Sequence, residues 1–387
     1  MGTLGIYVQV PFCQTKCTYC NFHTGVVAAG RFAPYVAAVC DEIRNREAFW
    51  KTAGVRIPIR DDVADTVYIG GGTPSLLEPE LLAEILEAIR EQFICQFREV
   101  TLEADPETIE AEKAAKWSAA EVNRISFGTQ SFVDEELKAA GRMHRRADIY
   151  RAVPILRAAG IRNISFDLIA GLPKQTAGTW RRSLEESISL SPEHISIYMM
   201  EIDEGSRLGL EVLQGGARYS AKDLPAEESM AEFYETAQAL LKDAGYVQYE
   251  ISNWAKPEFA SMHNLKYWRR EAYFGFGAGA HSFSGQQRWA NMHDAAGYVD
   301  AISNAGAAIQ TVDLVTPDMA LEEELFLGLR QLAGIDLSRI ERQYGVDFQK
   351  KVGDLAANGM IEHTGEMVRL PANKLSVSNE IIVELLR

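Results

Sequence analysis

Along the first two thirds of the chain, short runs of β-branched and apolar residues alternate with longer stretches whose apolar positions recur at helical spacing. The short runs fall at 5–10, 66–69, 99–103, 124–127, 163–168 and 194–198; the helical stretches fall at 32–49, 79–93, 106–117, 147–159, 179–190 and 226–244. A strand followed by a helix, six times over, predicts an α/β fold with a parallel sheet and crossover helices. Six such units point to a partial (β/α)6 TIM-like barrel over residues 1–244, although periodicity alone does not separate a barrel from a doubly wound sheet. Residues 245–315 read as an extension of the barrel, opening on one more strand at 245–251. From 316 the pattern changes to short helices at 318–332, 336–344 and 348–358, a hairpin over 361–370 turning at Gly365, and a last helix from Ser378. Residues 316–387 therefore form a small winged-helix-like α+β unit. Shape does not fix function and this unit has no basic recognition face, so it reads as a cap on the barrel.

Composition narrows the partners. The chain has 387 residues, 47% of them apolar, enough for a large core. Its net charge of −15 argues against nucleic acid and against electrostatic docking on anionic lipid. The N-terminus shows no basic and apolar leader pattern and no run of apolar residues is long enough to span a bilayer, so the expected location is cytoplasmic.

Strands of a parallel barrel open their C-terminal ends onto one face, where sites are built, so the residues that follow each run carry the chemistry. The first run leads to Cys13, Cys17 and Cys20 in a C-x3-C-x2-C spacing. Thiolates are soft ligands suited to zinc or iron–sulfur centres, and three on one tight loop can each reach one iron of a 4Fe–4S cube. One iron is then left open to a small molecule. Closing the set with His23 as a Cys3His zinc site is the alternative, and a disulfide is disfavoured in a chain of intracellular character. Cys40 and Cys95 lie alone in apolar patterns that read as helical and are expected in the core.

The second run ends in Gly70-Gly71-Gly72-Thr73-Pro74, whose bare backbone either approaches a ligand or simply makes a tight turn. Glu103 closes the third run, while Asp105 before Pro106 suits a helix cap. Gln130 follows the fourth run, with Arg142 beyond it, and Asp167 lies near the end of the fifth. A ligand carrying a carboxylate, an amine and a ribose would use Arg142, then Glu103, then Gln130 and Asp167. S-adenosylmethionine (SAM) is such a ligand.

The cysteine spacing resembles that of the radical SAM superfamily. With Tyr7-Val8-Gln9-Val10-Pro11-Phe12, Glu103-Ala104-Asp105-Pro106, Gly128-Thr129-Gln130-Ser131-Phe132 and Asp167-Leu168-Ile169-Ala170-Gly171-Leu172-Pro173, the chain resembles the oxygen-independent coproporphyrinogen III oxidase-like family from about residue 6 to the C-terminus. That resemblance implies a 4Fe–4S cluster on Cys13, Cys17 and Cys20. It implies SAM contacts at Tyr7, Tyr19, Gly71, Gly72 and Thr73, besides Glu103, Gln130, Arg142 and Asp167. In the oxidases, SAM cleaved by the reduced cluster yields a radical that abstracts hydrogen from substrate propionates.

Two departures point to the haem-chaperone branch of that family. Phe22 stands where the oxidase pattern has a further cysteine, and the first run begins near residue 4, without the oxidase's N-terminal extension. His263-Asn264-Leu265-Lys266-Tyr267-Trp268 resembles that branch's haem-linked H-N-x-x-Y-W motif. It implies His263 as an axial ligand, with Tyr267 and Trp268 as flat apolar surface, against the alternative of a histidine packed among aromatics. The glycine-rich stretch 275–282 is either a turn beside a ligand or a close packing contact.

The expected function is thus a haem chaperone that binds a 4Fe–4S cluster, SAM and haem and delivers haem to client apo-haemoproteins. The alternative is a coproporphyrinogen III oxidase or another radical SAM enzyme acting on a tetrapyrrole. An electron donor is required where SAM is cleaved, and membrane contact is expected only peripherally, through clients. No residue is assigned a catalytic role.

Overall fold

A computed structural model describes residues 2–57, 62–304 and 306–386. All six expected strands are present: β1 (Thr3–Val10), β2 (Val63–Gly71), β3 (Ile94–Ala104), β4 (Arg124–Gln130), β5 (Asn163–Ala170) and β6 (His194–Met199). They pair in parallel and in chain order. Along β1, buried Ile6, Val8 and Val10 alternate with half-buried Tyr7 and Gln9, because successive side chains point to opposite faces. The buried set joins Val36, Val39 and Ile43 of helix Phe32–Ala53 and Leu82, Ile85 and Leu86 of helix Pro79–Gln92 in one core. The other face of the sheet carries polar groups, among them Tyr68, Glu103, Ser126 and Asp167.

The sheet does not close into a barrel. Beyond β6 it continues antiparallel through β8 (Asn253–Ala255) to β7 (Val247–Glu250). Beyond β1 it continues through β9 (Tyr273–Phe276), parallel to β1, and then antiparallel through β10 (His281–Phe283), β11 (Gln287–Asn291) and β12 (Ile309–Leu314). The result is a twelve-stranded sheet with a seven-stranded parallel centre, β9 and β1 to β6. Most of the flanking strands are too short to show a period of their own, which is why residues 245–315 displayed only one of them in the sequence.

Two local expectations are corrected. The helix read over 106–117 is broken: a 3-10 turn at Pro106–Thr108 precedes helix Ala111–Ala119, because Ile109 and Glu110 are extended and Ile109 is buried in the core. Cys95 lies in β3, half-buried, rather than in a helix, whereas Cys40 is buried in helix Phe32–Ala53 as expected. The C-terminal segment has helices Pro317–Gly328, Leu337–Tyr344, Gln349–Ala357 and Ser378–Leu386 and a three-stranded antiparallel sheet centred on Met367–Arg369. Its core, including Leu325, Ile340, Val352 and Val368, is separate from that of the sheet. It is joined to the rest by Leu332 N–H donating to the Tyr249 carbonyl (3.1 Å) and Gln331 Nε2 donating to the Trp268 carbonyl (3.0 Å). Among the described residues no helix is long and apolar enough to cross a membrane.

The glycine-rich stretch is a packing contact. Gly277 has φ +97°, and a Cβ there would lie 2.6 Å from the Gln9 carbonyl and 2.7 Å from Tyr35 Oη. Its N–H donates to Glu42 Oε2 at 2.8 Å, and Glu42 also accepts from Asn291 Nδ2 and Tyr298 Oη, each at 2.7 Å. Burial pushes the Glu42 carboxyl up to about 7, so three donors hold an otherwise costly group. Gly277→Ala is therefore expected to cost about 3 kcal/mol, from left-handed strain and overpacking. It should appear as a lower melting temperature; an unchanged melt would show that the turn has room to relax.

Candidate functional site

The C-terminal ends of β1 and β2 are stitched together by backbone. Gly72 N–H donates to the Val10 carbonyl (2.8 Å) and Thr73 N–H to the Phe12 carbonyl (2.7 Å). A Cβ on Gly72 would lie 2.9 Å from Phe12 N, so the bare glycine lets the cysteine loop sit directly on the turn. The loop is held from its other side by Cys13 N–H to the Gly25 carbonyl (3.0 Å) and Thr18 N–H to the Ala140 carbonyl (3.0 Å). The triple glycine thus directs its N–H groups inward to the protein: Gly71 N–H donates to Glu103 Oε2 at 2.8 Å.

Cys13, Cys17 and Cys20 line one cavity of about 930 Å³, together with Tyr19, Gly71, Gly72, Thr73, Glu103, Gln130, Arg142 and Asp167. All three thiols are half-buried and free, and burial raises Cys13 and Cys20 above the ordinary thiol value. Among the described residues no three His, Cys, Asp or Glu side chains converge closely enough to hold a single metal ion. A zinc site requires such convergence, whereas thiolates that each ligate a different iron of a cube do not. His23 also turns away: its ring stacks on His293, with centroids 3.9 Å apart, and lines a second, smaller cavity. The arrangement fits a three-cysteine 4Fe–4S cluster better than a Cys3His ion.

Polar atoms without partners mark where a second ligand fits. Gln130 Oε1 and Asp167 Oδ1 are both buried, and among the described residues neither has a hydrogen-bond partner. Gln130 has φ +60°, a left-handed geometry that turns it at the end of β4. Burial pushes the Asp167 carboxyl up to about 6, offset in part by Ser196 and Ser126, the latter donating to Oδ2 at 3.0 Å. Burial likewise pushes Glu103 up to about 7, although Tyr68 Oη donates to Oε1 at 2.8 Å. Carboxylates in this state gain most from a ligand that brings hydroxyl donors or a positive charge. Sequence reasoning passed over Tyr68, whose signal is its place one residue after Val67 and Thr66 on a strand already assigned.

Arg142 and Asp105 engage each other. Arg142 is paired with Asp105, donates to the Gly128 carbonyl at 2.9 Å, and reaches Cys17 Sγ at 3.5 Å. It ties the cysteine loop to β4, with only Nε left without a partner among the described residues. Asp105 makes no side-chain cap; it accepts from Arg142 and from Thr73 Oγ1 (3.1 Å). Tyr7 is not on the large cavity: its hydroxyl donates to Gln9 and it lines the smaller one, of about 320 Å³, which shares Phe22, Gly71 and Glu103.

The H-N-x-x-Y-W motif lies on a short helix, Met262–Trp268. His263 is fully buried, and both ring nitrogens are engaged, by Thr66 Oγ1 (2.9 Å) and Tyr267 Oη (2.8 Å). Burial, with Lys266 nearby, holds its pKa down to about 3. The His263 imidazole is thus held by a hydroxyl at each nitrogen, and ligation of an iron would exchange one of these hydrogen bonds for a metal bond. Helix Met262–Trp268 floors the polar face of the sheet: Glu99 of β3 accepts from Ser261 Oγ (3.1 Å) and from the N–H groups of Met262 (2.9 Å) and His263 (3.0 Å). Tyr267 packs on Tyr273 inside this floor, and only Trp268 of the three reaches the large cavity.

Replacing Cys13, Cys17 or Cys20 with Ala is expected to abolish the iron–sulfur absorbance of anaerobically reconstituted protein; retained iron would place the ligands elsewhere. Only ionised Glu103 attracts an ammonium group, and its ionised fraction rises through neutrality. SAM affinity should therefore increase about tenfold between about pH 6 and pH 8, and calorimetry on Glu103→Gln should show that dependence lost. A native-like pH profile in that variant would remove Glu103 from the amine site.

Comparison with known proteins agrees with this geometry. The model of the Radical SAM superfamily matches residues 7–186, and that of the HemN C-terminal domain matches residues 315–373. A protein named heme chaperone HemW from Bacillus subtilis is 36% identical over 381 residues, covering 97% of both chains. The protein of the same name from Mycobacterium tuberculosis is 30% identical, covering 99% of this chain and 94% of its own. The solved structure of Escherichia coli coproporphyrinogen III oxidase, HemN, has the same fold, with a TM-score of 0.83 at 22% identity over 99% of this chain and 90% of that one. A Radical SAM domain implies a 4Fe–4S cluster and SAM as cofactors. With end-to-end matches at this level of identity, the chain belongs to the HemW family of radical SAM proteins.

Proposed function

We propose that this protein is a haem chaperone that binds iron porphyrin and hands it to client apo-haemoproteins, using a cluster- and SAM-bearing sheet as its scaffold. The observation that carries this reading is the similarity to proteins named heme chaperone along the whole chain, C-terminal segment included. In this reading Cys13, Cys17 and Cys20 hold the 4Fe–4S cluster. Glu103 takes the amine of SAM, Gln130 and Asp167 take its hydroxyls, and Tyr19, Thr73 and the bare faces of Gly71 and Gly72 shape the wall. Arg142 positions Cys17 and offers Nε to the SAM carboxylate. When bound, the cluster and SAM supply one-electron chemistry; the chain's own part is to orient them and to exclude water.

The second reading, a radical enzyme acting on a tetrapyrrole, draws on the same wall, since Gln130 and Asp167 keep unpaired acceptors aimed at a nucleoside-like ligand. One experiment separates the two. Protein reconstituted anaerobically and loaded with hemin is mixed with an apo-haemoprotein, and movement of the Soret band is followed; in parallel, coproporphyrinogen, SAM and a reductant are supplied and products are weighed by mass spectrometry. Haem transfer without decarboxylation is the expected result. Decarboxylation without transfer would sink the chaperone reading.

A further inference from the structure

The cysteine loop leans on an ion pair that lies largely out of solvent. The pair is Arg142 with Asp105, their side chains 10% and 19% exposed. Arg142 follows helix Asp134–Ala139 through Gly141, whose φ of +78° turns the chain back onto the loop. A Cβ on Gly141 would lie 3.2 Å from Thr18 Cγ2 and 3.3 Å from Thr18 N, so this turn sits directly against the backbone that follows Cys17. Thr18 N–H donates to the Ala140 carbonyl at 3.0 Å and Arg142 N–H to the Leu137 carbonyl at 2.9 Å, which fixes the base of the Arg142 side chain. Gly128 makes room at the other end: a Cβ there would lie 3.0 Å from Arg142 Nη2 and 2.9 Å from Asp105 Oδ1.

The guanidinium divides its donors between two kinds of acceptor. Nη2 serves Asp105 and the Gly128 carbonyl (2.9 Å), while Nη1 donates to Cys17 Sγ at 3.5 Å. Asp105 is held in turn by Thr73 Oγ1 (3.1 Å) on the glycine turn, so the pair spans the ends of β2, β3 and β4. Lys16, within the loop itself, spends its Nζ on the Phe22 carbonyl (3.2 Å). A guanidinium keeps its charge at every working pH, and a charge out of bulk water is screened little. Placed on a thiolate, it favours whichever state of the bound group carries more negative charge. The carboxylate beside it acts in the opposite sense.

We infer that Arg142 and Asp105 set the reduction potential of the cluster through Cys17, the guanidinium raising it and the carboxylate lowering it. This inference rests on the placement of the cluster on Cys13, Cys17 and Cys20. Each electron taken from an external reductant adds one negative charge there, with no bond made or broken, and hydrogen bonds to the ligating sulfurs are among the determinants of such a potential. Both are positioning residues in this role, acting through the thiolate. It is separate from the Nε that Arg142 offers to SAM, and therefore holds in protein free of SAM.

The test is a redox titration of anaerobically reconstituted, SAM-free protein with titanium(III) citrate and mediator dyes, followed by the paramagnetic resonance of the reduced cluster. The native chain is compared with Arg142→Gln, Arg142→Lys and Asp105→Asn, with iron content and melting temperature confirming that each is loaded and folded. In Arg142→Gln the reduction equilibrium is expected to fall about tenfold, which is about 59 mV for a one-electron couple. Arg142→Lys, which keeps the charge, should lie between that variant and the native protein, and Asp105→Asn should move to a higher potential. A purely structural role would lower cluster content or stability without driving the two charge changes apart. If Arg142→Gln holds no cluster, Asp105→Asn decides, and a potential at or below the native value would overturn the inference. Native protein with no reducible cluster would instead overturn the cluster placement on which it rests.

Discussion

Glu99 accepts three hydrogen bonds from Ser261, Met262 and His263, and they fix a short helix against the polar face of the sheet. An open parallel sheet with one polar face must keep that face from both bulk water and collapse. Here a carboxylate on β3, 3% exposed, holds the first turn of a short helix against the polar side of the sheet, where anionic charge meets the unpaired N–H groups of the helix start. His263 then reaches Thr66, and Lys266 reaches Asp65 at 2.8 Å. The motif that resembles a haem site is thus also the floor beneath the polar face of the sheet.

Above this floor the charges are arranged to want a ligand. Glu103, Glu107 and Asp167 are each pushed up by burial, to about 7, 7 and 6, and the Arg142 guanidinium beside them is committed to Asp105 and the cysteine loop. A buried acceptor left without a partner costs more than a hydrogen bond normally contributes. Cofactor binding therefore supplies the partners the protein lacks, which couples occupancy of the site to its stability.

The two cavities share Phe22, Gly71 and Glu103 as a common wall. Phe22 occupies the position that distinguishes this branch from the oxidase pattern, and in the structure it is an exposed apolar side chain between the cluster loop and the histidine pair.

Most of the parallel centre was legible in the chain. Strand and helix periodicities are local, and six strand–helix units sit where alternating apolar runs placed them; the cysteine triplet follows the end of β1, and Glu103, Gln130 and Asp167 lie near the ends of theirs, because a parallel sheet sends every strand end to one side. The flanking strands β8 to β12 were not legible, since three to six residues carry no period and their pairing is decided by neighbours far along the chain. Asp105 was misread as a cap because its partner Arg142 lies thirty-seven positions away. For His263 the motif shows its neighbours in sequence and not Thr66, which engages it in space. The sequence by itself determined which side chains were available for ligation, and tertiary packing alone decided which of them kept a free lone pair, because hydrogen bonding and burial are properties of neighbours that only the fold brings together.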